Sequence, residues 1–188
     1  MSQFEYIMAM VALILALALA QALRGLAEIV TSRKRYWPHS FWLLTIVFLM
    51  VQAWWADWHY NAVEEWRFTT YLLVLASPAI SFAKVHLLVP STRSDSFDWH
   101  KQFDAVRLWF FGLLISYVLI GIIQSVVLYG TPLIHPYRLF QGLFIAIALA
   151  GIVTRSQKVH GVLPLLLLAT LTISQVLVRM NLGALLVN

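Results

Sequence analysis

Cysteine is absent from the 188-residue chain, and charged residues make up only 11% of it. Without cysteine, the chain has no disulfide bonds and no thiolate-bound metal. Soluble domains are about one-quarter charged, and this chain is 61% hydrophobic with a mean hydropathy of +0.81. The composition therefore excludes an ordinary soluble domain and predicts an integral membrane protein.

Sequence motifs for catalysis and ligand binding are also missing. No serine lies within Gly-x-Ser-x-Gly, no glycine-rich phosphate loop occurs, and no pair of histidines has the spacing His-x-x-x-His. Haem b needs two facing imidazoles, whereas the six histidines lie near the ends of apolar runs. We therefore predict no catalytic residue, no metal site, no cofactor and no enzymatic activity.

What the chain does have is a series of long apolar runs, and about 20 residues are enough to cross a bilayer. The runs predict membrane spans at about residues 4–30, 39–58, 68–89, 107–129, 137–154 and 161–179. Because only short polar segments separate them, residues 1–188 are expected to form a single polytopic domain. The predicted fold is an all-α bundle of about six transmembrane helices.

The longest polar segment, residues 91–107, divides the runs into three and three. Phe97 and Phe103 lie in it at roughly helical spacing, which fits either a short helix on the membrane surface or a polar extension of the fourth helix. Because three is odd, two equivalent halves would have opposite orientations in the membrane, as in many transporters. A weak correspondence of Gln21 with Gln124 permits such a 3+3 inverted repeat.

Lysine and arginine collect on alternate polar segments, which predicts the orientation of the chain. The segments after the first, third and fifth runs hold Arg33, Lys34, Arg35, Arg93, Lys101, Arg107, Arg155 and Lys158, and the other side holds only Arg67, Arg138 and Arg179. Because cytoplasmic loops are the basic ones, both termini are predicted to be non-cytoplasmic. The formal charge of +5 thus reflects topology, and we predict no nucleic-acid partner.

The first half of the chain carries a family resemblance. The stretch LALAQALRGLAEIVTSRKRYWPHSFWLL, followed by VQAWWADW and HLLVPST, resembles a functionally unassigned group of small polytopic bacterial membrane proteins. That group shares an LRG first helix, a WPH loop and a WW second helix. The resemblance implies a location in the bacterial inner (plasma) membrane and assigns no role to any residue.

Ionisable residues near the cytoplasmic ends of the spans form a first candidate site. On the first helix, Ala12, Ala16, Ala20, Arg24 and Glu28 make one stripe at helical spacing, which we expect to face the interior of the bundle. Together with residues of similar depth, the stripe suggests a polar pathway of Arg24, Glu28, Lys84, His86 and His39. The alternative is structural: Arg24 and Glu28 pair with each other, and Lys84 extends to the headgroups.

Polar residues at the opposite ends of the spans form a second candidate, an outer cup. Its members are Gln52, Trp55, Asp57, His59, Gln124, Gln175 and Arg179, with Arg138 and Gln141 beside them. They would bind a solute through amides and indole rings. The alternative is hydrogen bonding between helices, which is worth only about 0.6 kcal/mol per contact on average.

Two functions fit this sequence. The first is a small channel or transporter for an ion or small solute that uses the polar cluster in the cytoplasmic leaflet. The alternative is a non-catalytic partner, sensor or assembly subunit of a membrane complex. The expected partners are membrane lipids and either further copies of the chain or another membrane protein, because small-residue faces such as Gly142, Ala146 and Ala150 need neighbours.

Overall fold

The apolar runs fold into helices in the computed structural model, which describes residues 2–32, 35–63, 65–90 and 97–176. The α-helices are α1 (Gln3–Thr31), α2 (Trp37–Ala56), α3 (Phe68–Leu88), α4 (Trp99–Tyr129), α5 (Tyr137–Val153) and α6 (Gln157–Ser174), and a 3₁₀ helix (Asp57–Ala62) continues α2. No β-strand occurs in the described ranges. The prediction of an all-α protein is confirmed.

Five of these helices are long and apolar enough to cross a membrane: α1, α2 with its 3₁₀ extension, α3, α4 and α6. Helix α5 is apolar but has only 17 residues. At 1.5 Å per residue it is about 26 Å long, slightly less than the thickness of a hydrocarbon core. Lengths and composition therefore agree with a multi-pass membrane protein.

Local sequence signals account for several helix ends. The Ser2 hydroxyl accepts a hydrogen bond from the Glu5 amide at 3.1 Å, and the Glu5 carboxylate accepts one from the Ser2 amide at 2.9 Å, which is a capping box. The Asp98 carboxylate likewise accepts from the amides of His100 and Lys101 at the start of α4. Pro38 occupies the first turn of α2, where a missing N–H costs nothing.

The six helices form a closed ring. Around it the order of packed neighbours is α1, α3, α4, α5, α6 and α2, and α2 packs against α1 to complete the circuit. Helix α2 also contacts α3 and α4, so it leans toward the middle of the ring. The ring surrounds an interior that is closed at one end by side chains and open to a cavity at the other.

An aromatic plug fills the end of the ring at which α4 begins. We give this name to Trp42, Phe103, Phe110 and Phe111, which have no exposed surface. The ring of Trp42 lies 5.0 Å from that of Phe111 and 5.3 Å from that of Phe110, both edge to face. Such contacts are favourable beyond their buried area, so the plug stabilises the closed arrangement of this end.

The two halves of the chain do not pack equivalently. In the first half, α1 packs closely against α3. The corresponding pair in a 3+3 repeat is α4 and α6, which are not among the closely packed pairs of the described residues and meet through the contacts of Phe103 and Phe111 with His160. Helix packing therefore lends the inverted repeat no support.

The segment before the fourth span is an extension of that span. Helix α4 is continuous from Trp99 to Tyr129, and Trp99 and Phe103 are buried against the bundle. Of the two structures that the sequence left open, the described residues show the polar extension of the fourth helix. A separate surface helix is not present between Phe97 and Arg107, and residues 91–96 lie outside the described residues.

Helix α1 faces the bundle with a different stripe from the one expected. Ala18, Ala22 and Gly25 are buried, whereas Ala16 and Ala20 are exposed, so the expectation that Ala12 to Glu28 faces inward is wrong. A Cβ on Gly25 would overlap the Val89 side chain, which shows how closely α1 approaches the end of α3. Because α1 presents this other face to the bundle, the charges of Arg24 and Glu28 stay out of the apolar interior, where they would be costly.

Candidate functional site

A cavity of about 400 Å³ occupies the interior of the ring above the aromatic plug. Most of its lining is apolar, and we call it the polar cavity after the minority of polar side chains that reach it. Residues from all six helices line it, from Leu15 on α1 to Leu171 on α6. It reaches the end of the bundle at which α4 ends and α5 begins, since Tyr129, Thr131 and Tyr137 are among its lining residues. Because a water molecule occupies about 30 Å³ in the liquid, the cavity has room for a small solute.

The structure brings four of the outer-cup residues to this cavity. Gln52, Asp57, His59 and Gln124 line it, although they come from three different elements. Trp55 is not among the lining residues, and 63% of its surface is exposed.

The remaining two outer-cup residues lie beyond α6. Gln175 follows the end of that helix and does not line the cavity, and its side-chain nitrogen is buried without a hydrogen-bond partner among the described residues. Arg179 lies outside the described residues.

An arginine sits at the mouth of the cavity, in the first turn of α5. The Arg138 guanidinium donates a hydrogen bond of 2.8 Å to the side-chain oxygen of Gln141 and a longer one of 3.4 Å to the Pro132 carbonyl. Its Nε atom is buried with no partner in the described chain. Arg138 and Gln141 both line the cavity, so this cation contributes to the potential at its entrance.

Gln124 joins two helices in the wall of the cavity. Its side-chain nitrogen donates to the Leu73 carbonyl at 2.8 Å, and the Ser77 hydroxyl donates to its side-chain oxygen at 3.2 Å. Both partners belong to the turn of α3 that precedes Pro78, the residue that cannot supply a helical N–H. The Gln124 amide thus links α4 to α3 next to the proline. This is the hydrogen bonding between helices that the sequence analysis gave as the alternative to solute binding.

Lys84 is the most unusual charged residue of the bundle. Its side chain has no exposed surface, and its Nζ atom lies 3.9 Å from the centroid of the Tyr117 ring. Nζ has no hydrogen-bond partner among the described residues. A buried ammonium needs paired charge or hydrogen bonds, so a charged Lys84 requires a partner that the described residues do not supply.

Lys84 continues a polar line along the inner face of α3. Ser77, Ser81 and Lys84 follow one another at helical spacing, and the two serines line the cavity. Tyr117 also lines the cavity and covers Nζ. The ammonium therefore lies directly behind the floor of the polar cavity.

No family model, curated protein or solved structure gives a significant match to this chain.

The comparisons neither support nor overturn the resemblance to the bacterial membrane-protein group. The function is therefore argued from the geometry of the bundle.

The predicted polar pathway is divided between two places. Arg24 and Glu28 pair at 3.8 Å with side chains 54% and 40% exposed, and His86 is exposed on α3. Lys84 and His39 are fully buried inside the ring. The structural alternative therefore describes Arg24 and Glu28 well, whereas Lys84 does not extend to the headgroups.

His39 and His160 belong to an aromatic end of the bundle. The ring of Phe103 lies 5.9 Å from that of His39 and 5.0 Å from that of His160, edge to face in both cases. Phe103 thus packs against both imidazoles. In the described ranges, no group of three His, Asp or Glu residues converges to hold a metal ion.

Arg107 has a role that the sequence analysis missed. It is 8% exposed, and its Nη1 atom donates to the carbonyls of Gly151, Ile152 and Thr154, where α5 ends. Carbonyls in the last turn of a helix lack partners within the helix and attract a cation. The signal was an arginine on the inward face of α4 at the depth where α5 stops, but the sequence did not show that α4 and α5 are neighbours.

Neighbouring helices cap α3 in the same way. Gln21 on α1 donates a hydrogen bond of 2.5 Å to the Val89 carbonyl, and Gln102 on α4 donates one of 2.8 Å to the Leu87 carbonyl. Polar residues at this end of the bundle are therefore used to satisfy helix termini, which is a structural role.

Proposed function

We propose that the protein is a membrane transporter that binds a small solute in the polar cavity. The observation that carries the proposal is the cavity of about 400 Å³ enclosed by all six helices of an apolar bundle. Binding pockets for small molecules typically measure about 300–1,000 Å³ and lie between the helices of a bundle. Ionisable residues that face the interior of such a bundle, as Asp57, His59 and Arg138 do, are typical of solute and ion pathways.

A transporter fits the geometry better than an open channel. The cavity reaches one end of the ring only, because the aromatic plug closes the other end with fully buried side chains. A solute in the cavity would have to be released by a second conformation that opens the plugged end. The proposal therefore moves the solute site from the cluster at the cytoplasmic ends of the helices to the polar cavity, and it does not require an inverted repeat.

The proposed membrane is the bacterial inner membrane, with both chain termini on the non-cytoplasmic side. The concentration of lysine and arginine after the first, third and fifth spans supports this orientation. In that orientation, the cavity is accessible from the non-cytoplasmic side and the aromatic plug faces the cytoplasm.

The second candidate function is a partner or assembly subunit, and one observation favours it. Gly142, Ala146 and Ala150 form a stripe on α5 that is exposed on the outside of the ring. Small residues at every fourth position let another helix approach closely in a membrane. Cysteines introduced at Ala146 in the otherwise cysteine-free chain would crosslink two copies if this face joins subunits.

A variant that fills the cavity tests transport. Gly121 lines the cavity, and a Cβ there would meet no atom within 4 Å, so Gly121→Leu should place its side chain in free space. Gly112→Leu is the matched control on the same helix, because Gly112 is equally free of neighbours but does not line the cavity. In proteoliposomes containing panels of small ions and neutral solutes, Gly121→Leu should lower uptake at least tenfold and Gly112→Leu should leave it near the wild-type rate.

Two results would contradict the transporter proposal. One is wild-type uptake no faster than that of empty liposomes for every solute in the panel. The other is equal uptake by the two glycine variants, because passage would then bypass the cavity. Crosslinking through α5 in the absence of any uptake would favour the subunit function instead.

A further inference from the structure

The buried lysine lacks the counter-charge that its position requires. A π face contributes about 2 kcal/mol to a desolvated cation, whereas the effective penalty for burying an ion is several kcal/mol. Tyr117 is the contact that the structure shows for Nζ, and no hydrogen-bond acceptor is within reach in the described chain. The ring alone therefore does not compensate the ammonium.

The helices packed against α3 supply no anion at this depth. The buried faces of α1 and α2 carry no acidic residue, and the only buried ionisable groups that α2 and α4 present are His39 and Arg107. His39 packs against Trp99 and Phe103, and Arg107 binds the carbonyls at the end of α5. The carboxylates of the described chain lie outside the helices or within two turns of a helix end: Glu5, Glu28, Asp57, Glu65, Asp98 and Asp104.

A counter-ion can reach Lys84 from the polar cavity. Ser81 and Tyr117 form the floor of the cavity, and Lys84 lies one turn beyond Ser81 with the Tyr117 ring over its Nζ atom. A change of the Tyr117 side-chain rotamer would expose the ammonium to the cavity, with the Ser81 hydroxyl beside it as a second donor. At the mouth, Arg138 adds a second positive charge, against the single negative charge of Asp57 among the described lining residues.

We propose that the polar cavity binds a small monovalent anion and that the Lys84 ammonium holds it. A single cation at the floor suits a single negative charge, and the limited volume suits an inorganic halide or a short-chain carboxylate. The statement that this anion is the transported solute rests on the proposed function. The statement that the anion binds here rests on Lys84 and the cavity alone.

The test compares binding by the purified wild-type protein and Lys84→Met in detergent. Thermal melting is followed while sodium acetate or sodium chloride replaces sodium gluconate at constant ionic strength, because gluconate is larger and more strongly hydrated. The wild-type protein should gain stability in a saturable way with acetate, chloride or both, and the ion that acts separates a carboxylate site from a halide site. Lys84→Met should bind at least tenfold more weakly, and Lys84→Arg should keep part of the effect.

The matched control is Lys158→Met, which removes an exposed lysine at the opposite end of the bundle. It should respond to anions as the wild type does. In gluconate alone, Lys84→Met should melt at a higher temperature than the wild type, because an apolar side chain of similar length removes an uncompensated buried charge. If Lys84→Met loses the response to anions and also melts at a higher temperature, Lys84 is the group that binds the anion and does not support the fold.

The outcomes separate the two proposals. Saturable binding that depends on Lys84 but is accompanied by no uptake upholds the anion site and overturns the transporter. Uptake of neutral solutes by a protein whose melting responds equally to acetate, chloride and gluconate overturns the anion site and leaves the transporter in place. If Lys84→Met is not recovered as folded protein, an equal response of the wild type to the three salts still overturns the inference.

Discussion

Removing the Arg107 guanidinium should destabilise the bundle by uncapping α5. In Arg107→Met, the apolar part of the side chain remains, but the carbonyls of Gly151, Ile152 and Thr154 lose their shared donor. These groups lie beside the buried plug residue Phe111, which contacts Gly151, so water does not replace the lost donor easily. The perturbation is therefore specific to the end of one helix.

The size of the effect follows from the donor geometry. Nη1 carries two hydrogens, so at most two of the three carbonyls receive a well-aligned hydrogen bond at once. A hydrogen bond to a charged group is worth about 1.5–3 kcal/mol, and the interaction of the cation with the helix dipole adds up to about 1 kcal/mol. Part of this is returned because the cation is no longer desolvated, and we expect a net loss of about 3 kcal/mol. Arg107→Lys keeps the charge with poorer geometry and should lose about half as much.

Reversible unfolding in mixed micelles of dodecyl maltoside and SDS measures this loss as a change in the free energy of unfolding. The matched control is Arg155→Met, which removes an exposed arginine next to the same helix end and should change that free energy by less than about 0.5 kcal/mol. Equal stability of the Arg107 and Arg155 variants would refute the reasoning, because it would mean that the last turn of α5 is satisfied without Arg107.

Two further predictions concern packing and ionisation. Gly151→Ala should destabilise the protein by about 1–3 kcal/mol, because the new Cβ would overlap the fully buried Phe111 ring. Gly142→Ala on the same helix has free space around its Cβ and should stabilise the protein by about 0.5–1 kcal/mol. Unfolding in SDS measures both changes in the free energy of unfolding, and changes of the same sign would contradict the packing. Burial, and secondarily the Asp104 carboxylate, raises the pKa of Tyr36 from 10.0 to about 12. Its contribution to stability is therefore complete below pH 10 and lost between pH 10 and 12. Tyr36→Phe should remove a phenol that titrates near pH 12 from the near-ultraviolet tyrosinate titration, and an unchanged titration above pH 11 would contradict this.

Much of the fold was predictable because a bilayer constrains the chain one residue at a time. Backbone groups in hydrocarbon must be bonded within a helix, so runs of apolar residues such as 68–89 and 137–154 predict helices with little help from their neighbours. The structure has α3 at Phe68–Leu88 and α5 at Tyr137–Val153, close to those runs. Where two structures were compatible with the pattern, as before the fourth span, packing of Trp99 and Phe103 against the bundle selected the continuous helix.

The candidate sites were less predictable because depth along a helix does not specify direction around it. Arg24 and Lys84 lie near the same ends of their helices by sequence, yet one is exposed and the other has no exposed surface. For α1, the alanine stripe was one of two at helical spacing, and the choice between them depends on which face meets Val89. A single apolar helix has no preferred face until its neighbours are known.

By itself, the sequence determined that the chain is helical, where the apolar helices lie and that polar groups of Gln52, Asp57, His59 and Gln124 fall at one end of them. Only the tertiary structure decided that these groups share one cavity and that Lys84 lies behind its floor. The physical reason is that helix formation in lipid is a local requirement of the backbone, whereas a cavity arises from the order in which α1, α3, α4, α5, α6 and α2 pack around the ring.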